Sequence, residues 1–436
     1  MTPTPSQLTP EAAPAGPRIG GSYLGLLQRN RDFRRVYLAT LISLAGDWFL
    51  TVALVDLVLT LTGRAALTSL LSLCMNLPVF LLTPWAGATV DRVDRRKLMI
   101  VMDLVRAGAA LLPLLATTPG RLPLAYLGVC LIASCSAYFD PAADAALPNF
   151  VAPEDLGRAN VLLGAAWGTM MALGAALGGV VTTYGGRTSA FIIDALSFLL
   201  SAWLIVGIRA RFTEAQPHEK PRTSLLESVR ETLRYTHAEP RVTALLIAKA
   251  GYGVGAGLIT LLGLFGEKVF QRGAQGVSTL LVARGLGAVL GPVLLNRAFR
   301  PTPGQGYAQC RAIAPGIALF AFGYMGLALS PGLTLAMVAV TLAHLGAGAQ
   351  WQASAYGLLT AVPDSLRGRV FAADAGLLTL SLSISSMGAG LLADHYGVRQ
   401  AAMGVALLGL LWALLWGMGT RRLWKKTAPS SQPVIG

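Results

Sequence analysis

Gly87-Ala88-Thr89-Val90-Asp91-Arg92-Val93-Asp94-Arg95-Arg96 lies between two long apolar runs. Two carboxylates and three arginines are packed into a short turn whose flanks carry almost no charge. Such a turn is what two membrane-crossing helices need where they meet water, and two opposed kinds of charge in one turn are unlike a chance cluster.

Composition points the same way. Hydrophobic residues are 54% of the 436, charged residues 13%, and the mean hydropathy is +0.59. A soluble domain carries about 25% charged residues. There is too little charge here to cover a water-facing surface, so the solvent is lipid. The net charge of +14 does not make a nucleic-acid surface, because the basic residues fall in short clusters between apolar runs, as topology signals do. Cys74, Cys130, Cys135 and Cys310 lack metal-ligand spacing and read as small buried thiols. Met1 to about Ser22 is rich in Pro, Thr and Ala and lacks the parts of a signal peptide, so it reads as a disordered cytoplasmic tail.

A bilayer core about 30 Å thick needs roughly 20 apolar residues per helix. Twelve runs meet this: 36–60, 66–90, 98–117, 122–147, 160–183, 188–208, 242–266, 275–297, 311–330, 333–361, 371–395 and 399–419. The connections on one side of these runs hold 26 Lys and Arg, those on the other side 6. Positive residues stay inside, so both termini are expected in the cytoplasm and the protein in the cell membrane. The predicted fold is an all-α membrane protein with twelve transmembrane helices in two pseudo-symmetric six-helix bundles. Residues 1–30 are a cytoplasmic tail, 31–208 the first bundle, 209–241 a cytoplasmic linker, 242–420 the second bundle and 421–436 a second tail. In the linker, Leu225, Leu226, Val229 and Leu233 have helical spacing, which fits an amphipathic helix on the inner membrane surface or a solvated linker with some helix.

The halves repeat. Val151-Ala152-Pro153-Glu154-Asp155-Leu156-Gly157-Arg158 is echoed by Ala361-Val362-Pro363-Asp364-Ser365-Leu366-Arg367-Gly368-Arg369. Each is followed, 26 and 27 residues after its last arginine, by Tyr184-Gly185-Gly186-Arg187 and Tyr396-Gly397-Val398-Arg399. Two bundles related by a pseudo-twofold along the membrane normal, with a cavity between them, produce this pattern.

The decapeptide resembles the loop signature of major facilitator superfamily transporters, G-x-x-x-D-R-x-G-R-R or R-K, with Asp94 in place of the second glycine. Within that superfamily the chain resembles the drug:proton antiporter-3 family, which contains macrolide and siderophore exporters. Gly46-Asp47-Trp48-Phe49, Leu61-Thr62-Gly63, Phe139-Asp140-Pro141-Ala142 and Pro363-Asp364-Ser365-Leu366-Arg367-Gly368-Arg369-Val370-Phe371 carry the likeness. Gly174-Ala175-Ala176-Leu177-Gly178-Gly179 keeps the glycines of the antiporter fifth span but lacks its proline.

Ionisable residues within the membrane cost roughly 2.5–3.5 kcal/mol each on insertion scales, so each is a functional candidate. Asp47 is expected near mid-bilayer as a proton-coupling carboxylate; a structural, helix-pairing role is the equal alternative. Asp56 nears the outer interface and is the weaker candidate. Arg284 is deep in the eighth span, with Glu267 as its expected partner. It reads either as a proton-linked switch or as a static tether between helices. Lys249 is expected to snorkel to the inner surface. Asp103 and Arg106, three apart on one helix face, read as a neutralised pair. Asp194 and His344 read as isolated, hydrogen-bonded core residues.

The resemblance assigns Gly87, Asp91, Arg92, Arg95, Arg96, Asp140 and Asp144 to a cytoplasmic gate. The loop arginines pair with Asp140 and Asp144, and Asp91 meets the positive N-terminus of the eleventh helix. Trp48, Phe49, Trp167, Tyr252, Trp351 and Tyr356 are the expected lining of the cavity. The function implied is proton-coupled efflux of amphipathic small molecules by alternating access. An importer or facilitator on the same fold is the alternative, and a non-transporting membrane sensor a third reading. No enzyme motif is present: there is no phosphate loop, H-E-x-x-H or nucleophile elbow. A proton gradient is the only energy source invoked, with no cofactor or metal. The expected partners are substrate, protons and lipid, with no nucleic acid, and the chain is expected to be a monomer.

Overall fold

The computed structural model describes residues 22–90, 92–210, 212, 225–298 and 308–424. The tail before residue 22 and Asp91 lie outside the described residues, as does most of the 209–224 connection. In chain order the α-helices are α1 (Tyr23–Arg29), α2 (Arg31–Thr62), α3 (Ala65–Val90), α4 (Arg95–Ala109), α5 (Leu122–Ala146), α6 (Leu156–Val180) and α7 (Gly186–Val206). They continue with α8 (Leu225–Ala238), α9 (Pro240–Leu264), α10 (Gly273–Ala298), α11 (Ile313–Leu329), α12 (Leu333–Ala361), α13 (Asp364–Tyr396) and α14 (Val398–Thr420). Among the described residues, eleven helical stretches are long and apolar enough to cross a membrane. The chain is a multi-pass, all-α integral membrane protein.

Local chemistry sets the ends of these helices. The Asn30 side chain accepts the Phe33 N–H at 2.9 Å and starts α2. Gly63, at φ +63°, ends it in the left-handed conformation that glycine adopts without strain. Asp94, the departure from the loop signature, accepts the Lys97 N–H at 3.2 Å and caps α4. A carboxylate there gains from the positive end of the helix.

The stretch Pro153–Val206 has 54 residues. A straight helix of that length runs about 80 Å, and the hydrocarbon core is about 30 Å. The chain turns through one π-helical turn at Val181–Gly185 and then Gly186, at φ +79°. Contacts along α2 show the reversal. Arg29 pairs with Asp155 at 2.6 Å where α2 and α6 begin, and further on Gly174 meets Trp48 and Gly178 meets Phe49. Gly207, beyond the end of α7, instead meets Arg35, while Ser197 and Asp194 earlier in α7 meet Gly46. So α6 runs with α2 and α7 runs against it. The turn before α14 is built the same way, with Gly397 at φ +92° and ψ 157° against φ +79° and ψ 164° at Gly186.

Packing follows one scheme twice. In α2–α7, α2 packs on α6 and α7, α3 on α5, and α4 on α5 and α7. In α9–α14, α9 packs on α13 and α14, α10 on α12, and α11 on α12 and α14. The two sets meet chiefly where α3 lies on α13 and α6 on α10. Small residues permit the approach: a Cβ on Gly285 would stand 2.8 Å from that of Ala172, and no larger residue fits. The linker helix is present as α8. It is braced against the second set, with Tyr235 Oη donating to the Ala361 carbonyl at 3.1 Å and Glu231 paired with Arg369. The faces of Leu225, Leu226 and Val229 lie outside the described residues, and Leu233 is exposed.

Candidate functional site

A cavity of about 230 Å³ lies between the two sets of helices. From α2 it takes Trp48, Thr51 and Val55; from α3, Thr68, Leu71, Ser72, Met75 and Asn76. The second set supplies Ala256, Ile259 and Thr260 from α9, Leu281 and Arg284 from α10, and Leu382 and Ser386 from α13. Ser72, Thr260 and Ser386 form a chain of hydroxyls across the junction, with 3.3 Å and 2.9 Å between successive oxygens. Arg284 is eleven residues into α10, about 16 Å from its start and so near mid-membrane. Its guanidinium stands over Trp48, 5.8 Å from the ring centroid.

This corrects two expectations. Arg284 does not pair with Glu267, which sits at the far end of the membrane near Asp56 and Arg187. Phe49 is not a lining residue. It is buried in the core of the first set with its ring near Gly178, because it points away from Trp48 around the helix. Tyr252 packs on Phe320 at 5.2 Å and on Trp351 at 6.4 Å, beside the core of the second set. Trp167 and Trp351 are exposed, and Tyr356 is half-buried. Of the aromatics expected to line it, Trp48 is the one on this cavity. Sequence reading missed the hydroxyls, although Thr68, Ser72 and Asn76 fall four residues apart on α3 and mark one polar face.

Behind Trp48, the first set gathers its charges. Arg106 pairs with Asp103 within α4, as the i,i+3 spacing predicted. Asp103 also accepts Ser201 Oγ at 2.7 Å. The guanidinium is sandwiched by Phe139 at 4.1 Å and Phe198 at 4.7 Å. Asp47, Asp140 and Asp194 all lie within electrostatic reach of Arg106. Asp194 is therefore not isolated: it faces Asp47 across the Gly46 contact, and one of its carboxylate oxygens is buried without a hydrogen bond. His344 fits the core role expected of it, 3.4 Å from Tyr324 Oη.

Among the described residues, the second set holds one buried ion pair. Lys249 on α9 bonds Asp374 on α13, and its ammonium stands 4.7 Å from the Trp351 ring centroid. Snorkelling is thus corrected, because the ammonium finds a carboxylate nearer than the membrane surface. Sequence reading passed over Asp374.

The helix ends carry further contacts. Away from the basic clusters, Asp56 pairs with Arg187 at 3.3 Å. There Asp394, near the end of α13, accepts the Ala65 and Ala66 N–H groups at 2.6 and 2.9 Å, capping α3 across the junction. Lys268 bonds the Gly63 carbonyl nearby. At the basic end, Arg95 donates to the carbonyls of Ala145 at 2.8 Å and Phe212 at 3.3 Å, and Arg96 to that of Val206. Arg92 and Gly87 are exposed. Asp140 is nearer Arg106 and Asp144 than the loop arginines expected beside it, because α4 packs along α5 and brings Arg106 to that face. Asp144 is exposed.

A family model described as transmembrane secretion effector matches residues 26–432. The chain belongs to the major facilitator transporters. The multidrug efflux pump Tap of Mycolicibacterium fortuitum is 25% identical over 387 residues, 86% of this chain and 92% of Tap. The MFS-type transporter YfiS of Bacillus subtilis is 25% identical over 432 residues, 94% and 97% of the two chains. In fold the chain is similar to a bacterial homolog of the human lysosomal transporter Spinster, with a TM-score of 0.71 at 16% identity, covering 92% of this chain and 99% of that one. A bacterial homologue of the iron transporter ferroportin gives 0.68 at 14%, covering 89% and 98%. This major facilitator protein is a secondary-active transporter of small molecules, not an enzyme.

Proposed function

We propose that this transporter exports amphipathic small molecules in exchange for protons, by alternating access of the cavity beside Trp48 and Arg284. In this reading α2–α7 and α9–α14 are two six-helix units crossing the membrane twelve times, related by a pseudo-twofold. The pair-for-pair repetition of their packing and the opposed runs of α6 and α7 support it. The basic end faces the cytoplasm, in keeping with the 26 to 6 distribution of Lys and Arg.

The observation that carries proton coupling is the imbalance in the first unit. Asp47, Asp103, Asp140 and Asp194 surround one cation, Arg106. Uncompensated charge in the membrane interior is costly, so protons neutralise what Arg106 cannot. Asp140 and Asp144 stand on the cytoplasmic side of this group and Asp47 deepest within it. A proton that moves along the group changes the charge immediately behind Trp48. Each charge carried across 100 mV contributes about 2.3 kcal/mol, enough for concentrative export.

The test is transport in proteoliposomes. An inward proton gradient is expected to drive export of amphipathic dyes, and adding dye to be expelled is expected to acidify the cytoplasmic-side compartment. Dye movement that is indifferent to the gradient would remove proton coupling and leave a facilitator.

A further inference from the structure

Three basic side chains lie well inside the helices, and two have carboxylates: Arg106 with Asp103 and Lys249 with Asp374. Arg284 is the exception. Among the described residues it pairs with no carboxylate and donates no hydrogen bond, and its contact is the Trp48 face. A guanidinium carries five N–H donors in a fixed fork that matches a carboxylate or phosphate. Left without such a partner at mid-membrane it is expensive, unless the cavity it faces brings one.

The cavity has the composition for that. Its wall holds no acidic residue and no second base. Trp48, Val55, Leu71, Met75, Ile259 and Leu281 make an apolar side, while Ser72, Thr260 and Ser386 add hydroxyls that donate or accept. One fixed positive charge, a hydroxyl chain and an apolar wall suit a ligand with an anionic head on an apolar body.

We infer that Arg284 is the anchor of an anion subsite, and that the preferred substrates are amphipathic organic acids bound head-first on its guanidinium. This rests on the transport reading for the word substrate, but the subsite itself is a matter of equilibrium binding. At about 230 Å³ the cavity is smaller than the roughly 300–1,000 Å³ that encloses a drug-sized molecule. It holds the acidic end, and the remainder of a larger molecule extends beyond it. Trp48 supplies a flat surface that keeps the guanidinium in place between loads.

The test uses the purified full chain and three probes of one shape: 1-naphthylacetate, its neutral amide, and the corresponding naphthyl amine cation. Binding is measured by calorimetry in detergent micelles. The expected order is acid over amide over amine, with the acid preferred by about tenfold or more, as for a hydrogen-bonded charge pair. Arg284→Gln is expected to erase the acid preference, and Arg284→Lys to keep the order with a smaller margin. If Arg284 serves an anion site, Arg284→Gln also leaves the thermal midpoint unlowered, since it removes an uncompensated charge. A flat or reversed order in the native protein, or an order that Arg284→Gln leaves unchanged, would overturn the inference. A midpoint that collapses in Arg284→Gln while Arg284→Lys binds acid and amide alike would make Arg284 a tether and overturn it too. Gradient-driven dye transport, assayed separately, fails or succeeds independently of this order, so loss of one reading is told apart from loss of the other.

Discussion

Gly46 and Asp47 are neighbours with opposite tasks. A Cβ on Gly46 would fall 2.5 Å from Asp194 Oδ1 and overlap Ser197. The bare backbone therefore lets α7 seat its carboxylate beside Asp47. Gly46→Ala is expected to force α7 outward and lower stability by about 1–3 kcal/mol, the usual cost of overpacking. Thermal unfolding in detergent measures this, and an unchanged midpoint would mean that α7 is not held at that contact. Lys249 and Asp374 make the complementary case. Lys249→Met alone leaves a buried carboxylate uncompensated and is expected to cost about 3–5 kcal/mol. Lys249→Met with Asp374→Leu removes both charges and is expected to recover most of that. If the double variant is as unstable as the single one, the pair matters for its shape rather than its charge.

At the scale of helices, α3 and α13 form the junction between the two sets. They run in opposite directions: Ser69, early in α3, meets Gly390, late in α13, while Phe80 meets Gly376. Each N-terminus is positive, and each lies where the other helix ends. Asp394 already caps α3 at the end remote from the basic clusters. We propose that Asp91, just beyond the end of α3 in the sequence, does the same for α13 at the other end when that side closes. A carboxylate at a helix N-terminus contributes up to about 2 kcal/mol. Asp394→Ala is thus expected to shift the equilibrium about 5- to 30-fold toward opening on the outer side, and Asp91→Ala the other way. Labelling of a cysteine at Ser72 from each side of the membrane reports the shift, and identical labelling in both variants would sink the latch. The long apolar helices and a break near residues 184–187 were readable beforehand, because hydropathy and glycine act locally. So was the Asp103–Arg106 pair, whose partners share one helix turn. The partner of Lys249 was not, being 125 residues away, nor was the grip of Asp394 on α3. Which way a helix face turns is set by its neighbours' packing rather than by its own residues, and the same lack put Glu267 beside Arg284 and Phe49 in the cavity.

Over the whole molecule, the packing scheme is duplicated but the charge is not. The first set holds four carboxylates around Arg106; the second holds a balanced Lys249–Asp374 pair and Arg284 on the cavity. In the proposed reading, equal folds with unequal charge divide the labour: protons act on the first half, the substrate's head on the second, and Trp48 lies between. Asp47→Asn fixes the deepest group as neutral, so it is expected to leave dye movement down its own gradient intact while abolishing acceleration by a proton gradient. The double variant Lys249→Met with Asp374→Leu is expected to keep that acceleration, because its charges already cancel. Proteoliposome transport with and without a pH difference separates the two. Acceleration that survives Asp47→Asn and disappears with the Lys249–Asp374 pair would move the proton site to the second half, and the division of labour would be reversed.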